Sequence, residues 1–515
     1  AKIRYNIFHC NVNKILFQIY AKIMFRIYCM TDIFRKKTLA GQILTYTVLF
    51  ALTCVFCFIQ FVIQRKEFMI EYDSIAEHLT VLIYWGKYIR SFFYNLFIKH
   101  AFILPQWDFS IGLGADILTT LHWYAIGEPL NLLAAFFKPE KTVYLYNILL
   151  FTRLYLSGIS FIAFCNYKKI DRFSSVLGAL AYIFCGWIIY CGIRHIYFIT
   201  PMMYLPLLFL GIEKILADEK PFCFIIGTAL ACVSNFYFFY ILTLLTFIYA
   251  IVRFFAFFTE KRLYNFATHA GKALLSYLVG VLIASVIFLP NVASFFLTSR
   301  SEIAIPVPLF YEAKYYFLLP FSLIAPKMFF SYTFLGFTAL FIPALACSLR
   351  NKNRENISFL LIFILFIVFL IFPVFGHIFN GFNYLTNRWC FGISFVAALL
   401  VTLNLEKLTS LKRREMIIRL GLPALLGLLV ILLSIVSSKF REVFSVSYVS
   451  LLIVCAVLYF INTVKAGILL KKGLLSFTML LSLAMNANFR YAKSGYNYLL
   501  PFINKGAPEG LMFDT

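Results

Sequence analysis

Negative charge is scarce in this chain. Of 515 residues only 22 are Asp or Glu, against 46 Lys or Arg, and charged residues of both signs make up 13%. A soluble domain carries about 25% charge. The shortfall excludes an ordinary water-soluble enzyme. Nucleotide signatures are absent as well: the sequence has no P-loop and no Rossmann fingerprint, and neither GxSxG nor HExxH. No Cys/His cluster has zinc spacing. The twelve Cys do not form a disulfide framework, because Cys54, Cys57, Cys165, Cys185, Cys232, Cys390 and Cys455 lie inside apolar runs. Even the CxxC of Cys54 and Cys57 reads better as small packing residues than as redox chemistry.

Hydrophobic residues are what the chain has, at 62%. Apolar runs of about 20 residues recur, each long enough for a hydrocarbon core of about 30 Å. The expectation is an all-α polytopic membrane protein with thirteen spans, at 40–64, 142–165, 173–192, 197–215, 221–235, 236–256, 271–290, 332–349, 356–375, 389–405, 416–436, 446–464 and 472–486. The stretch 221–256 is split at Asn235 because only an even number of crossings between Lys220 and Arg253 keeps the basic loops on one side. The net charge of +24 is then the product of cytoplasmic loops, not a footprint for nucleic acid. Residues 1–39 read as a basic, partly amphipathic cytoplasmic segment, 40–486 as the transmembrane domain and 487–515 as an extracytoplasmic tail. The expected location is a bacterial plasma membrane, with the N-terminus cytoplasmic.

One stretch breaks the pattern. Residues 65–141 are too polar for a span, and eight of the 22 acids fall there: Glu67, Glu71, Asp73, Glu77, Asp108, Asp116, Glu128 and Glu140. Topology makes it a large extracytoplasmic loop. Apolar Leu79, Leu82, Ile83, Ile89, Phe93 and Phe97 set against polar Lys87, Ser91, Asn95 and Lys99 predict an interfacial helix over 76–100 with a basic face. Gly112-Leu-Gly114 predicts a turn, and Glu128-Pro129 the start of a further helix.

Within the loop, Asp73 is the leading candidate for chemistry. If 73–78 is helical, Asp73, Glu77 and His78 share a face, where a carboxylate can serve as general base or hold a divalent cation such as Mg or Mn. Asp108 and Asp116 follow, with turn and cap roles as the plainer readings. His122 reads as structural. Arg153, inside a span, must face a cavity or a partner. Arg194-His195, Arg300 and Arg388 fall in or near outer loops, where an arginine either binds a lipid phosphate or snorkels to headgroups.

Several motifs, in order, resemble one family. Asp73-Ser-Ile-Ala-Glu-His78 with Tyr84-Trp-Gly-Lys-Tyr88, Trp107-Asp108-Phe109, Gly112-Leu-Gly114-Ala-Asp116, Glu128-Pro129-Leu-Asn131, Ser234-Asn235-Phe236-Tyr237, and Asn380-Gly381-Phe382 with Asn387-Arg388-Trp389 are similar to motifs of the YfhO family of bacterial membrane proteins. Glu77 stands where that family often has Gln, and family members tend to be longer. The resemblance implies a GT-C-like glycosyltransferase that moves a sugar from a polyprenyl-phosphate donor to a cell-surface glycan or teichoic-acid-type acceptor at the outer face, among membrane lipids and without nucleic acid. It implies catalytic roles for Asp73, Asp108 and Asp116. Substrate contacts are expected at His78, Glu128, Arg300, Asn387 and Arg388, with Arg388, by its motif, and Arg300, by topology alone, as the candidates for the carrier phosphate. The rival expectation is a transporter or flippase of lipid-linked glycans, with Arg153 lining its path.

Overall fold

The computed structural model describes residues 38–124, 126–260, 262–297, 306–325, 330–436, 438–464, 467–491 and 499–501. The N-terminal basic segment and Arg300 lie outside them. The long helices are α1 (Leu39–Ile63), then, after the first loop, α2 (Thr142–Tyr167), α3 (Arg172–Ile183), α4 (Thr200–Leu216), α5 (Phe222–Ser234), α6 (Phe236–Phe257) and α7 (Arg262–Leu297). They continue as α8 (Arg354–Ile371), α9 (Phe391–Leu408), α10 (Leu422–Val436), α11 (Ser438–Thr463) and α12 (Ile468–Tyr491). Among the described residues, ten helical segments are long and apolar enough to cross a membrane. The three other stretches expected as spans contain the shorter helices α3, α5 and Phe341–Ser348.

Local sequence sets the helix boundaries. The Thr38 hydroxyl caps α1 by accepting from the Gly41 amide, and Asp171 caps α3 by accepting from that of Ser174. Asn235 separates α5 from α6: its backbone is extended, and its side-chain oxygen accepts from the Phe238 amide at 3.0 Å. The split predicted there is a cap, not a flexible turn.

The helices share two ends. At one end the first loop meets the starts of α2, α4 and α6: Asn147 donates to Glu67, and Thr200 donates to Glu128. At the other end Glu213 of α4 meets Arg253 of α6, and Lys168 just beyond α2 meets both Glu213 and Glu355 of α8. About 13 residues of α4 separate Thr200 from Glu213, or roughly 20 Å of helix. The middle is apolar and interlocked, with Trp187, Trp389, Tyr46, Tyr182, Tyr249, Phe161 and Phe395 all buried.

The first loop is a jacket of short elements. A five-residue strand, Lys66–Ile70, pairs antiparallel with Leu499–Pro501, so chain beyond α12 returns to the start of the loop. A π-helical turn over Glu71–Leu79 runs into the helix Thr80–Phe97, close to the one expected over 76–100. Trp107–Asp108 and Ala115–Asp116 form a small hairpin across Gly112 and Gly114, both at positive φ. A 3-10 helix, Pro129–Phe136, closes the jacket. Arg90 fastens its end by donating to the carbonyls of Ala134 and Phe137 at 3.0 and 2.6 Å. Gly127 has no room for a side chain, since a Cβ would sit 2.0 Å from the Val233 carbonyl oxygen. That contact seats the loop on the end of α5.

Candidate functional site

The structure separates the candidate acids by what already occupies them. Asp116 caps the helix Ile117–Leu121: one oxygen accepts from both the amide and the hydroxyl of Thr119, at 2.7 Å each. Asp108 accepts from the Tyr84 hydroxyl at 2.6 Å and the Ser110 amide at 2.8 Å. Those hydrogen bonds, the tyrosine's first, hold it below the usual carboxylate range. Glu128 is fully buried and clamped by Arg153 at 2.9 and 3.0 Å and by the Thr200 hydroxyl at 2.9 Å, while Arg153 also reaches Asn131 at 2.7 Å. Arg153 is therefore paid off by a partner from the loop motif Glu128-Pro-Leu-Asn131. These three acids hold the loop in shape.

Asp73 differs. It sits in the π-helical turn, whose irregular register is fixed by Ser74: the Ser74 hydroxyl donates to the Arg194 carbonyl at 2.9 Å and accepts from the Ile70 amide at 3.1 Å. The Asp73 side chain is 20% exposed, and its Oδ2 accepts from Arg194 Nε at 2.5 Å. No described residue donates to Oδ1. Arg194 itself is 45% exposed. Behind the pair stand two buried histidines, with His78 Nε2 3.0 Å from His195 Nδ1 and His195 Nε2 3.8 Å from Asp73 Oδ2.

A contact between two ring nitrogens needs one donor and one acceptor. If His78 donates, His195 carries its proton on Nε2 and turns a positive edge toward Asp73. The reverse tautomer would aim a lone pair at the carboxylate, so the first arrangement is favoured. Burial keeps both rings neutral. It pushes His195 down to about 3, helped by the Arg194 and Arg388 charges, and His78 well below its usual value, helped by His195. Glu77 moves the other way: burial and then Asp73 push its carboxyl up, partly offset by Arg194.

Arg388 reaches the same place from the opposite side of the sequence. Its guanidinium lies 4.7 Å from the Tyr332 ring, 5.4 Å from Phe198, 5.6 Å from Tyr384 and 5.8 Å from Tyr237. Phe198 in turn stacks on His195 with centroids 4.4 Å apart, which ties the cage to the Asp73 group. Arg388 Nε has no hydrogen-bond partner among the described residues. A cation held by rings and not by a carboxylate keeps its Nε–H for an anion.

Asn387 builds this cage from behind. Its side chain donates to Tyr311 and Thr333 at 3.0 and 2.8 Å and accepts from the Trp389 indole at 3.2 Å. Its amide donates to the Ser331 carbonyl at 2.6 Å. Ser331 and Tyr332 both have left-handed backbones, at φ 58° and 62°. Such residues cost about 1–3 kcal/mol each and persist only where their surroundings impose them. Here the strained pair presents the Tyr332 ring to Arg388.

His122 is buried and contacts the Val233 carbonyl at 2.8 Å, and burial pushes it down to about 4. With Asn235 donating to the Trp123 carbonyl at 2.9 Å, it fastens the loop to the α5–α6 junction.

The expected divalent cation meets an awkward setting. Among the described residues, no group of three His, Cys, Asp or Glu is arranged to hold a metal ion. Asp73 already faces a guanidinium.

Sequence reasoning did not bring Arg194 and His195 to Asp73, nor find the cage rings. Arg194-His195 did stand out as a polar pair between apolar runs. Tyr237 stood in a family-like motif, but Phe198, Tyr332 and Tyr384 carried no signal, because aromatics are 19% of the chain.

The profile of the family described as "Bacterial membrane protein YfhO" matches residues 87–501. The match starts downstream of Asp73 and His78. An uncharacterised protein YfhO of Bacillus subtilis (strain 168) is 27% identical over 344 residues, which cover 60% of this chain and 36% of that protein. The chain thus spans about a third of the length of the curated relative it matches. Among solved structures, ArnT from Cupriavidus metallidurans is similar in its undecaprenyl-phosphate-bound form, with a TM-score of 0.48, 11% identity and coverage of 88% of this chain and 78% of that one. The apo form gives a TM-score of 0.48, 13% identity and coverage of 87% and 77%.

Proposed function

The chain belongs to the YfhO family of bacterial membrane proteins, and from that premise we propose that it is a membrane glycosyltransferase using a polyprenyl-phosphate-linked sugar. The observation that carries the proposal is the pairing of unlike groups in one partly exposed site. Among the described residues, one Asp73 carboxylate oxygen has no hydrogen-bond donor, and the Arg388 Nε–H, beside it across His195 and Phe198, has no acceptor.

In the proposed step, Asp73 takes the proton of an acceptor hydroxyl. The acceptor oxygen bonds to the sugar's anomeric carbon as the bond from that carbon to the phosphate oxygen breaks. The displacement inverts the anomeric centre. Negative charge gathers on the departing phosphate, and Arg388 meets it in a pocket of rings where a charge-assisted hydrogen bond is strong. Asp108, Asp116, Glu128 and Asn387 position loop and cage. His78 and His195 orient Asp73. A cell-surface glycan or teichoic-acid-type polymer is the proposed acceptor. The side follows from charge: Lys168, Lys214, Lys220, Arg253, Arg354 and Lys407 gather at the Glu213 end, which the positive-inside rule assigns to the cytoplasm. The Asp73 end is then extracytoplasmic. Arg153, which the rival transporter reading would set along its path, is fully buried against Glu128.

The test uses purified protein with a polyprenyl-phosphate sugar and a cell-wall glycan acceptor, following release of polyprenyl phosphate. Asp73→Asn and Arg388→Leu are each expected to cut release at least about 100-fold. Transfer that survives Asp73→Asn at the wild-type rate would sink the assignment. Movement of the lipid-linked sugar across the bilayer without bond cleavage would favour transport.

A further inference from the structure

Arg194 poses a problem for the proposed base. A guanidinium held against a carboxylate competes with an incoming hydroxyl for the carboxylate oxygens. Yet the Asp73–Arg194 contact is weakly held. The arginine is 45% exposed, only its Nε is engaged, and exposed pairs contribute about 0–1 kcal/mol. The other arginine is close at hand through an unbroken line of contacts: Arg194 to Asp73, Asp73 to His195 at 3.8 Å, His195 to Phe198 at 4.4 Å, and Phe198 to the Arg388 guanidinium at 5.4 Å. Arg388 is caged and fixed, whereas Arg194 stands at the surface with its Nη groups unengaged by any described residue.

Resting on the glycosyltransferase reading, we propose that Arg194 exchanges partners: it leaves Asp73 for the phosphate of an arriving lipid phosphate monoester, so that donor binding itself frees the catalytic base. Arg388 is the fixed half of a two-guanidinium site and Arg194 the mobile half. Without donor, Asp73 stays paired and cannot activate an acceptor or water. With donor, the phosphate takes Arg194, and Asp73 keeps only the weak pull of the His195 edge. The site is armed only when there is a sugar to transfer. The pair must be broken for the phosphate to bind, so its strength is subtracted from donor affinity.

That subtraction has a signature that does not depend on turnover. Farnesyl phosphate binding to the detergent-purified full chain is measured by calorimetry for wild type, Asp73→Asn, Arg194→Gln and the double variant, with farnesol and phosphatidylglycerol as comparison ligands. Asp73→Asn, which is expected to abolish transfer, is expected to bind farnesyl phosphate about two- to fivefold more tightly than wild type, because Arg194 is already released. Arg194→Gln weakens binding, and adding Asp73→Asn to it gives no further gain. Equal tightening in the Arg194→Gln background would mean simple relief of repulsion and would overturn the exchange. Equal tightening for phosphatidylglycerol would overturn its assignment to a monoester carrier, and unchanged binding in Asp73→Asn would overturn it altogether. Loss of transfer in Asp73→Asn without any tightening would leave the glycosyltransferase reading standing and remove only the exchange.

Discussion

The two ends of the bundle hold similar charges in different states. At the Glu213 end, Glu213 is 1% exposed and takes hydrogen bonds from Arg253, Lys168 and the Tyr249 hydroxyl, while Arg253 also reaches Ser358. Among the described residues at the Asp73 end, the carboxylate has one engaged oxygen, its arginine is half exposed, and the second arginine touches rings and no acid. Both clusters lie where helices begin or finish, and both set arginine beside acid. A charge cluster closed on itself fixes helix ends. One left open, at the surface, keeps binding capacity in reserve. By that criterion Asp108, Asp116 and Glu128 side with Glu213, although they share a loop with Asp73.

The contrast is sharpest in paired substitutions. Asp73→Asn is expected to lower sugar transfer about 10²- to 10⁴-fold while changing stability by no more than about 1 kcal/mol. Transfer assays and thermal unfolding of the same preparation measure both. Glu213→Ala should do the reverse in kind. It leaves Arg253 and Lys168 without their shared acid in a buried setting, a loss of about 3–5 kcal/mol. It should appear as low yield and early unfolding, with the transfer rate per folded molecule intact. A stable Glu213→Ala variant with a selective loss of transfer would erase the distinction between the ends.

Much of this architecture was legible because bilayers impose simple rules. Apolar length marked the long helices, and basic loops required the break at Asn235, where the structure has a helix cap. Thirteen spans were expected; among the described residues ten segments are long and apolar enough, and the other three stretches hold the short helices α3, α5 and Phe341–Ser348. Of the site, sequence pattern could rank Asp73 by its place after α1 and the resemblance could mark Arg388. Neither could bring them together. Their meeting depends on Arg194, His195 and Phe198, over a hundred residues from either, and on a strained turn at Ser331 and Tyr332 that no residue type announces.

Acid should also tell the ends apart. His78 and His195 are buried neutral beside Asp73, whereas Glu213 has no histidine partner. Both folded rings resist protonation, but the unfolded chain takes protons near pH 6.5. Stability is therefore present above about pH 6.5 and lost as pH falls toward the His195 value of about 3. With His122, which burial pushes down to about 4, three such groups give a slope of about 4 kcal/mol per pH unit in that window. His195→Gln should remove about a third of the slope measured by denaturation between pH 6 and 4.5. An unchanged slope would mean the ring is charged in the folded protein.

Glu77 carries the smallest expected effect and the finest discrimination. It neighbours Asp73, and burial and Asp73 together raise its carboxyl above the ordinary value, against the pull of Arg194. A raised carboxyl means that the folded state binds the proton more readily than the unfolded chain. The cost of ionising Glu77 is thus absent below the unfolded value, about 4.5, and fully present once pH exceeds the folded one. Glu77→Gln removes that cost and keeps the shape. It should match wild type at pH 4.5 and melt slightly higher at pH 8, by less than about 2 °C. A wild type that outlasts Glu77→Gln at pH 8 would reverse the sign: Glu77 would then be a favourable partner of Arg194. The open cluster would hold two acids for its mobile arginine, and freeing Asp73 would not require the phosphate alone.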